Sequence, residues 1–493
     1  MAPQDIDTAI KRAIEQGTAE EEQNHLLAHN STMNSPDVDI EEFDDGTDQR
    51  FYCLITGANR YTPYFFLFSF FFLFSFFFFL LLIHSRTLLF NKAHPQHSGL
   101  GLALCCRFLA HFLLTRPATH HLTLIFTTRS SSKSLQTTNS ILSSLCGFLP
   151  RAPTERFTLA PAFVDLTDLL SVYTLITHIR REYPKLDWAY CNAGMLTTAC
   201  GGGVDYVRAT LDIFTNPVKA LTTPEFKLQT QGEIVLQGPK PHGGKRSISN
   251  NAEEAQGDMR KAHGLGLIWA ANVFGHYLII QGLLSLLTRG GVRKGERARV
   301  IWTSSLDGHA RSLDVHDIQC VRGKELYESS KRLTDVLALT WPDAAAASFV
   351  QGKEVDRKRL PRFYLTHPAV CATNIAGQHP VMWYIMLLMF YIVRLVCGSP
   401  WHPITAWKGN AANIWVGTEK EEVLEQKGKT KWGSACGRFG KEMVRETETE
   451  GISGGHVGED MKELGKQCWE RMEEARKEWE ERLGLANGVA FLS

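Results

Sequence analysis

Tyr327 and Lys331, in the stretch Tyr327-Glu328-Ser329-Ser330-Lys331, are spaced to do chemistry together. On a helix, residues four apart share one face. A phenol ionises near pH ~10, too high to exchange protons readily at neutral pH. A cation one turn away favours the phenolate and lowers that value, which suits the tyrosine to general acid–base work. The same spacing describes any surface Tyr and Lys on an amphipathic helix, and it is frequent by chance. It gains chemical meaning only if the chain upstream supplies a nucleotide site and a hydroxyl beside the phenol.

Bulk properties narrow the classes. The chain has 493 residues, 44% hydrophobic and 21% charged, as in a globular protein. A net charge of +1 gives no global field for nucleic acid or an anionic membrane. The 11 cysteines include no C-x-x-C pair, so they read as reduced thiols in a cytosolic compartment rather than zinc ligands. The polar, acidic start has no apolar core of a secretory signal. Residues 1–48 read as a disordered acidic segment.

The elements that must position the pair follow in order. Arg50–Thr56 is an apolar strand running into Gly57-Ala58-Asn59. A run of Phe, Leu and Ser then fills Tyr61–Phe90, and globular sequence resumes at Ser98-Gly99-Leu100-Gly101. Leu122–Phe126 is the next strand, followed by Arg129 and Lys133. Phe163-Val164-Asp165-Leu166 ends a third, with Asp165 placed to cap the helix Leu169–Ile179. Leu186–Cys191 is a fourth strand, followed by Asn192-Ala193-Gly194. Residues 195–265 are Gly- and Pro-rich and too long for an ordinary connection. A helix resumes at Asn272, Arg299–Thr303 is a fifth strand ending in Ser304-Ser305, and Phe363–Thr366 is a sixth, with Thr373 beyond it. Strands alternating with helices imply an α/β fold, a Rossmann-type doubly wound parallel sheet with its ligand crevice at the strand C-termini. The singled-out motifs all fall at those ends or on the helix that follows.

Joined across the Phe/Leu/Ser run, the first two glycine stretches read T-G-A-N…S-G-L-G. Over residues 49–377 the chain resembles the short-chain dehydrogenases/reductases. More narrowly it resembles the fungal 3-keto sterol reductases of ergosterol biosynthesis. The narrower likeness rests on Tyr327-Glu-Ser-Ser-Lys-Arg-Leu-Thr-Asp335, Ala271-Asn-Val-Phe-Gly-His-Tyr277, and Thr215-Asn-Pro with Thr223-Pro-Glu-Phe-Lys227.

The resemblance implies an NADPH-dependent oxidoreductase acting on the C3 ketone of a 4-demethylated sterol. Tyr327 would donate the proton, and Lys331 would lower its pKa and bind the nicotinamide ribose. Ser305, with Ser304 as its neighbouring alternative, would hold the substrate oxygen. Asn272 would hold a relay water. Thr56, Gly57, Asn59, Ser98, Gly99, Leu100, Gly101, Asp165, Asn192, Ala193, Gly194 and Thr373 would line the cofactor. Arg129 and Lys133 stand where an NAD site would carry an acid, which favours the 2′-phosphate of NADPH. Another bulky lipid ketone or a retinoid, or a non-catalytic scaffold in a sterol-enzyme assembly, are the alternative readings. No metal and no nucleic acid are expected. The implied partners are membrane-bound sterol C-4 demethylation enzymes.

Two further expectations concern segments outside the shared pattern. Residues 60–98 read as a translated intron. Arg60-Tyr61 can be encoded as a splice donor and His97-Ser98 as an acceptor, and joining them restores T-G-A-N-S-G-L-G in frame. From 378 to 493 the chain is expected to leave the shared fold. There Val381–Val396, at about 16 residues, is short of the ~20 that span a bilayer. With Trp383, Tyr384, Tyr391 and Trp401 as interfacial anchors it reads as membrane-associating, on the cytosolic face of the endoplasmic reticulum or a lipid droplet. Asp460–Leu485 reads as a helix packed on the domain.

Overall fold

All six stretches read as strands pair in one sheet. The computed structural model describes residues 49–58, 99–149, 153–196, 215, 232–237, 248–249, 264–323, 325–348, 359–372 and 380–485. The sheet elements are β1 (Gln49–Ile55), β2 (His120–Thr128), β3 (Phe157–Phe163), β4 (Trp188–Cys191), β8 (Arg299–Thr303) and β9 (Arg362–His367). Two more follow, β10 (Lys431–Cys436) and β11 (Glu442–Thr447). The order is β11-β10-β9-β8-β4-β1-β2-β3. Every pairing is parallel except β10 with β11. β5 (Ile234–Leu236), β6 (Ile248–Ser249) and β7 (Gly264–Gly266) form a separate antiparallel sheet within the long Gly- and Pro-rich segment.

Helices cover both faces, which is why the central strands are apolar along their whole length. α1 (Leu100–Thr115), α2 (Ser131–Phe148) and α7 (Ala411–Thr418) pack on one face, over Phe51, Ile55 and Trp188. α3 (Leu169–Glu182), α4 (Leu267–Leu287), α5 (Leu326–Ser348) and α9 (Glu459–Arg482) pack on the other, over Leu54, Ala189 and Trp302. α6 (Pro380–Ile392) and α8 (Glu421–Gln426) are the other α-helices among the described residues. The expected tail helix does pack on the domain, with Met461, Cys468, Met472 and Trp479 buried.

Two expectations are corrected. The chain does not leave the fold after 377: β10 adds in parallel to β9, and β11 closes that edge. The third strand ends at Phe163, and the N-cap of α3 is Asp168, whose carboxylate accepts from Ser171 N at 3.3 Å. Asp165 instead folds over its own turn, accepting from Thr167 N at 3.1 Å and Thr167 Oγ1 at 2.7 Å. Both aspartates are capping types, and only the chain's path decides between them. Among the described residues, one helix is long and apolar enough to cross a membrane, Leu267–Leu287; with 89% of it buried it is a core helix.

Candidate active site

Strand order reverses between β1 and β4, and there the two turns touch. Gly57 has φ +71°, a left-handed conformation, and a Cβ on it would lie 2.7 Å from Ala193 Cβ. A Cβ on Gly101 would lie 2.1 Å from the Gly57 carbonyl oxygen and 2.8 Å from Asn192 Nδ2. The glycine loop, the first turn of α1 and the Asn192-Ala193-Gly194 turn therefore close on one another. They do so although residues 59–98, which include Asn59 and Ser98, lie between the flanks and outside the described residues.

The Thr56 hydroxyl holds this closure. It accepts from Asn192 N at 2.9 Å and Ala193 N at 3.1 Å, and it lies 2.9 Å from His276 Nε2. His276 Nδ1 lies 3.1 Å from the Asn272 carbonyl. That carbonyl can only accept, so Nδ1 carries the proton and Nε2 is an acceptor; the Thr56 hydroxyl proton lies between it and the Tyr190 carbonyl at 3.1 Å. Burial lowers the His276 pKa to about 4, which keeps the ring neutral. Sequence reasoning quoted His276 within a motif but gave it no role, because only the fold places it under Thr56.

Asn272 lies in a π-helical turn, Ala270–Phe274, at the start of α4. Its amide is tied to Met195 N at 2.7 Å, Met195 O at 3.0 Å and Ser330 Oγ at 3.0 Å.

Tyr327 and Lys331 open α5 on its buried face, 6% exposed each. The long connection from β8 is built of two 3₁₀ turns, Ala310–Ser312 and Val315–Asp317. The Asp317 carboxylate then gathers Val321 N at 3.1 Å, Arg322 N at 2.7 Å and Gly323 N at 3.2 Å. Gly232, just before β5, and Gly266, the last residue of β7, pack so closely on Val321 and Gln319 that a Cβ would lie 1.8 and 2.1 Å from their carbonyl oxygens. That support brings Tyr327 to Ser305, whose hydroxyl hydrogen-bonds it. Ser304 turns away and donates to Asp335. Of the two serines, the structure thus brings Ser305 to the phenol.

The electrostatics differ from the simple expectation. Lys331 Nζ donates to the Thr303 carbonyl at 2.9 Å and lies 5.6 Å from the Tyr327 ring centroid. Burial pushes the phenol pKa up, the Asp307 carboxylate adds to the rise, and the Ser305 hydrogen bond opposes it. Lys331 is lowered to about 8, chiefly by burial. The phenol is thus not lowered by its lysine neighbour; desolvation of both groups outweighs their attraction. Asp307 was missed from sequence because a lone Asp in a loop carries no signal.

The other expected residues are spread around this crevice. Arg129 is exposed just beyond β2, and Lys133 is exposed in the first turn of α2. Asp165 is half-buried beyond β3. Thr373 lies outside the described residues. Two buried polar atoms at C-terminal strand ends, Asn192 Oδ1 and Thr303 Oγ1, have no hydrogen-bond partner among the described residues. Orphaned polar atoms beside a glycine cradle fit a polar ligand laid across the strand ends, as a dinucleotide would be. Among the described residues no group of three His, Cys, Asp or Glu side chains could hold a metal ion.

No protein-family model matches the chain. It is 33% identical over 448 residues to the 3-keto-steroid reductase of Aspergillus fumigatus, covering 80% of this chain and 94% of that one. The Gibberella zeae 3-keto-steroid reductase is 31% identical over 470 residues, covering 79% and 94% of the two chains. That of Schizosaccharomyces pombe is 30% identical over 360 residues, covering 72% and 89%. Among solved structures, L-sorbose reductase of Gluconobacter frateurii, complexed with NADPH and L-sorbose, covers 76% of this chain and 92% of its own. Its 11% identity and TM-score of 0.38 are too low to carry an argument.

Closure of the loop around the long segment generates a prediction. A chain lacking residues 60–97 should fold and bind dinucleotide at least as tightly as the full chain, by calorimetry. Loss of binding in a folded deletion variant would show the segment to be a working part of the site.

Proposed function

This chain belongs to the 3-keto-steroid reductases, within the short-chain dehydrogenases/reductases, and from that premise we propose that it reduces the C3 ketone of a 4-demethylated sterol with NADPH. The product is the 3β-hydroxy sterol, formed during C-4 demethylation in ergosterol biosynthesis. The observation that carries this reading is the meeting of Tyr327, Ser305 and Lys331 at the end of β8. The A. fumigatus relative, matched over 94% of its length, is named for this reaction type.

Each residue takes a physical role. Thr56, Gly57, Gly99, Gly101 and the Asn192-Ala193-Gly194 turn would hold the dinucleotide, whose nicotinamide supplies the hydride when bound. Asn59, Ser98, Leu100, Asp165 and Thr373 complete the proposed cofactor lining. Ser305 donates a hydrogen bond to the ketone oxygen and stabilises the charge that develops there. Tyr327 gives that oxygen its proton. A phenol with a raised pKa stays protonated at neutral pH, which is the state an acid needs in the reductive direction. Lys331, lowered to about 8, is still largely charged at pH 7 and stabilises the phenolate left behind. Asn272 would hold a water that passes a proton towards Lys331.

Attachment to a membrane surface fits the same substrate. The exposed face of α6 and the turn after it carries Tyr384, Leu388, Met389, Ile392 and Val396, the last 70% exposed. Phe439, 84% exposed in the β10–β11 turn, is followed by Lys441 and preceded by Arg438, whose guanidinium lies beside Gly398 at the end of that helix. This arrangement supports a helix lying in one leaflet, with cations at the headgroups. The proposed location is the cytosolic face of the endoplasmic reticulum or a lipid droplet, beside the other C-4 demethylation enzymes.

Three measurements test this reading. Tyr327→Phe should keep NADPH affinity within about twofold and lower kcat by ~10²-fold or more; near-normal turnover would remove the tyrosine from the chemistry. Arg129→Asp should raise the Kd for NADPH by ~10-fold or more while sparing NADH, the worth of a charge-assisted bond to a 2′-phosphate. Equal losses for both cofactors would refute that contact. Leu388→Glu with Ile392→Glu and Phe439→Glu should move the protein from the membrane pellet to the soluble fraction, and a variant that still pellets would place the attachment elsewhere.

A further inference from the structure

Beneath the Tyr327–Lys331 face runs a second chain of buried polar groups that the scheme above does not use. Asp335 follows Lys331 by one turn on α5 and is fully buried. One carboxylate oxygen accepts from the Ser304 hydroxyl, and the other accepts from Lys431 Nζ at 2.7 Å. Ser304 is 2% exposed and Lys431 3%. Ser304 Oγ also lies 3.5 Å from the Lys331 carbonyl oxygen. Gly308 lies against the pair: a Cβ there would come 2.5 Å from Asp335 Oδ2 and 3.2 Å from Lys431 Nζ. Lys431 enters from β10, the strand that sequence reasoning placed outside the fold.

A buried ion pair is a weak source of stability, because the cost of desolvating both charges offsets most of their attraction. Its position therefore asks for a reason other than stability. Ser304 is the residue next to Ser305, and Asp335 is the helical neighbour of Lys331, so the chain touches both halves of the proton-transfer group. We propose that Asp335 and Lys431 are positioning residues for that step: the Ser304–Asp335–Lys431 chain fixes the end of β8 so that Ser305 meets Tyr327, and its two opposed charges set how firmly Lys331 holds its proton. The inference rests on the reading of this site as a ketone reductase.

The groups around Lys331 allow the sign to be worked out. On α5 they are Tyr327 and Asp335; from β10 comes Lys431, and from α4 His276. One step further out, Asp307 and Glu328 act on Tyr327, and His367 of β9 faces Lys431. Burial lowers both histidines, His276 to about 4, so neither titrates near neutrality. For Lys331 itself, burial is the largest lowering influence, Asp335 opposes it, and Lys431 adds to it, leaving the amine at about 8. A lysine lowered in this way loses its proton as pH rises through that value. The alkaline limb of the rate profile should therefore lie near it. Removing Asp335 takes away the group that holds the proton, and removing Lys431 takes away a group that repels it. The two substitutions must move the limb in opposite directions, which a merely structural role would not do.

The test is the pH dependence of kcat for the full-length enzyme reducing a 3-keto sterol with saturating NADPH. Asp335→Asn should move the alkaline limb down by about one pH unit, and Lys431→Met should move it up by about one. Lys431→Arg should restore the wild-type limb. Ser304→Ala, which keeps both charges, should lower kcat and leave the limb in place. Shifts of Asp335→Asn and Lys431→Met in the same direction, or unmoved limbs in variants that retain NADPH affinity, overturn the proposal. If Lys431→Met does not fold, the nearly isosteric Asp335→Asn carries the test, and an upward or absent shift overturns it. A wild-type chain that reduces no 3-keto sterol refutes the functional reading on which the proposal stands; an active wild type whose variants keep its limb refutes this proposal alone.

Discussion

The crevice depends on one close approach, the Gly57 backbone against Ala193 with the Thr56 hydroxyl between the two turns. Parallel strands β1 and β4 bring these turns side by side, and a Cβ at Gly57 or Gly101 would force them apart. The hydroxyl accepts from two backbone N–H groups, and its own proton is shared between the Tyr190 carbonyl and a neutral histidine. Through His276 and the Asn272 carbonyl, the same contact reaches the π turn of α4; through the Asn272 amide it reaches Ser330 on α5. The glycine loop and the tyrosine helix, far apart in sequence, are thus held by one run of hydrogen bonds. The long segment between Ala58 and Gly99 leaves this contact closed.

Burial governs the chemistry of the groups so assembled. It raises the phenol of Tyr327 and lowers the amine of Lys331, each towards its neutral form. The attraction that a Tyr–Lys pair would have in water does not describe them. What remains adjustable is the set of fixed charges around them, Asp307 beside the phenol and Asp335 with Lys431 beside the amine. Those charges come from a loop, from the next turn of the same helix and from a strand added at the sheet edge, so the electrostatic setting of the Tyr–Lys pair is gathered from three parts of the chain.

The apolar central strands and the glycine turns were legible because burial on both faces, or a left-handed φ, leaves a local mark on composition. β10 left none. Lys431-Trp432-Gly433-Ser434-Ala435-Cys436 is fully buried yet carries a lysine, a glycine and a serine where an apolar run would be expected. It can be so because Lys431 finds Asp335, Ser434 donates to Gly409 O, and Gly433 leaves room for His367, whose Nε2 would lie 2.4 Å from a Cβ. Each partner is distant in sequence, so nothing local reveals the strand. The same reason hid His276 and Asp307. Asp165 and Asp168 were confused because both are good caps, and only the path of the turn separates them. The Tyr327–Ser305 meeting was an expectation of the family resemblance, whereas the two 3₁₀ turns and the Asp317 cluster that deliver it had no sequence signal.

The central claim is that the crevice at the end of β8 transfers a hydride to a sterol ketone carbon while Tyr327 protonates the oxygen. The most direct measurement is isotopic. Purified full-length protein is given NADPH deuterated at nicotinamide C4, on one face at a time, with a 4-demethylated 3-keto sterol, and the product is read by mass spectrometry and proton NMR. The account predicts one deuterium, at C3 and nowhere else, from one face only, in a 3β-alcohol. A 3β-alcohol without deuterium from either face, or no alcohol from a protein that binds both ligands, would contradict it.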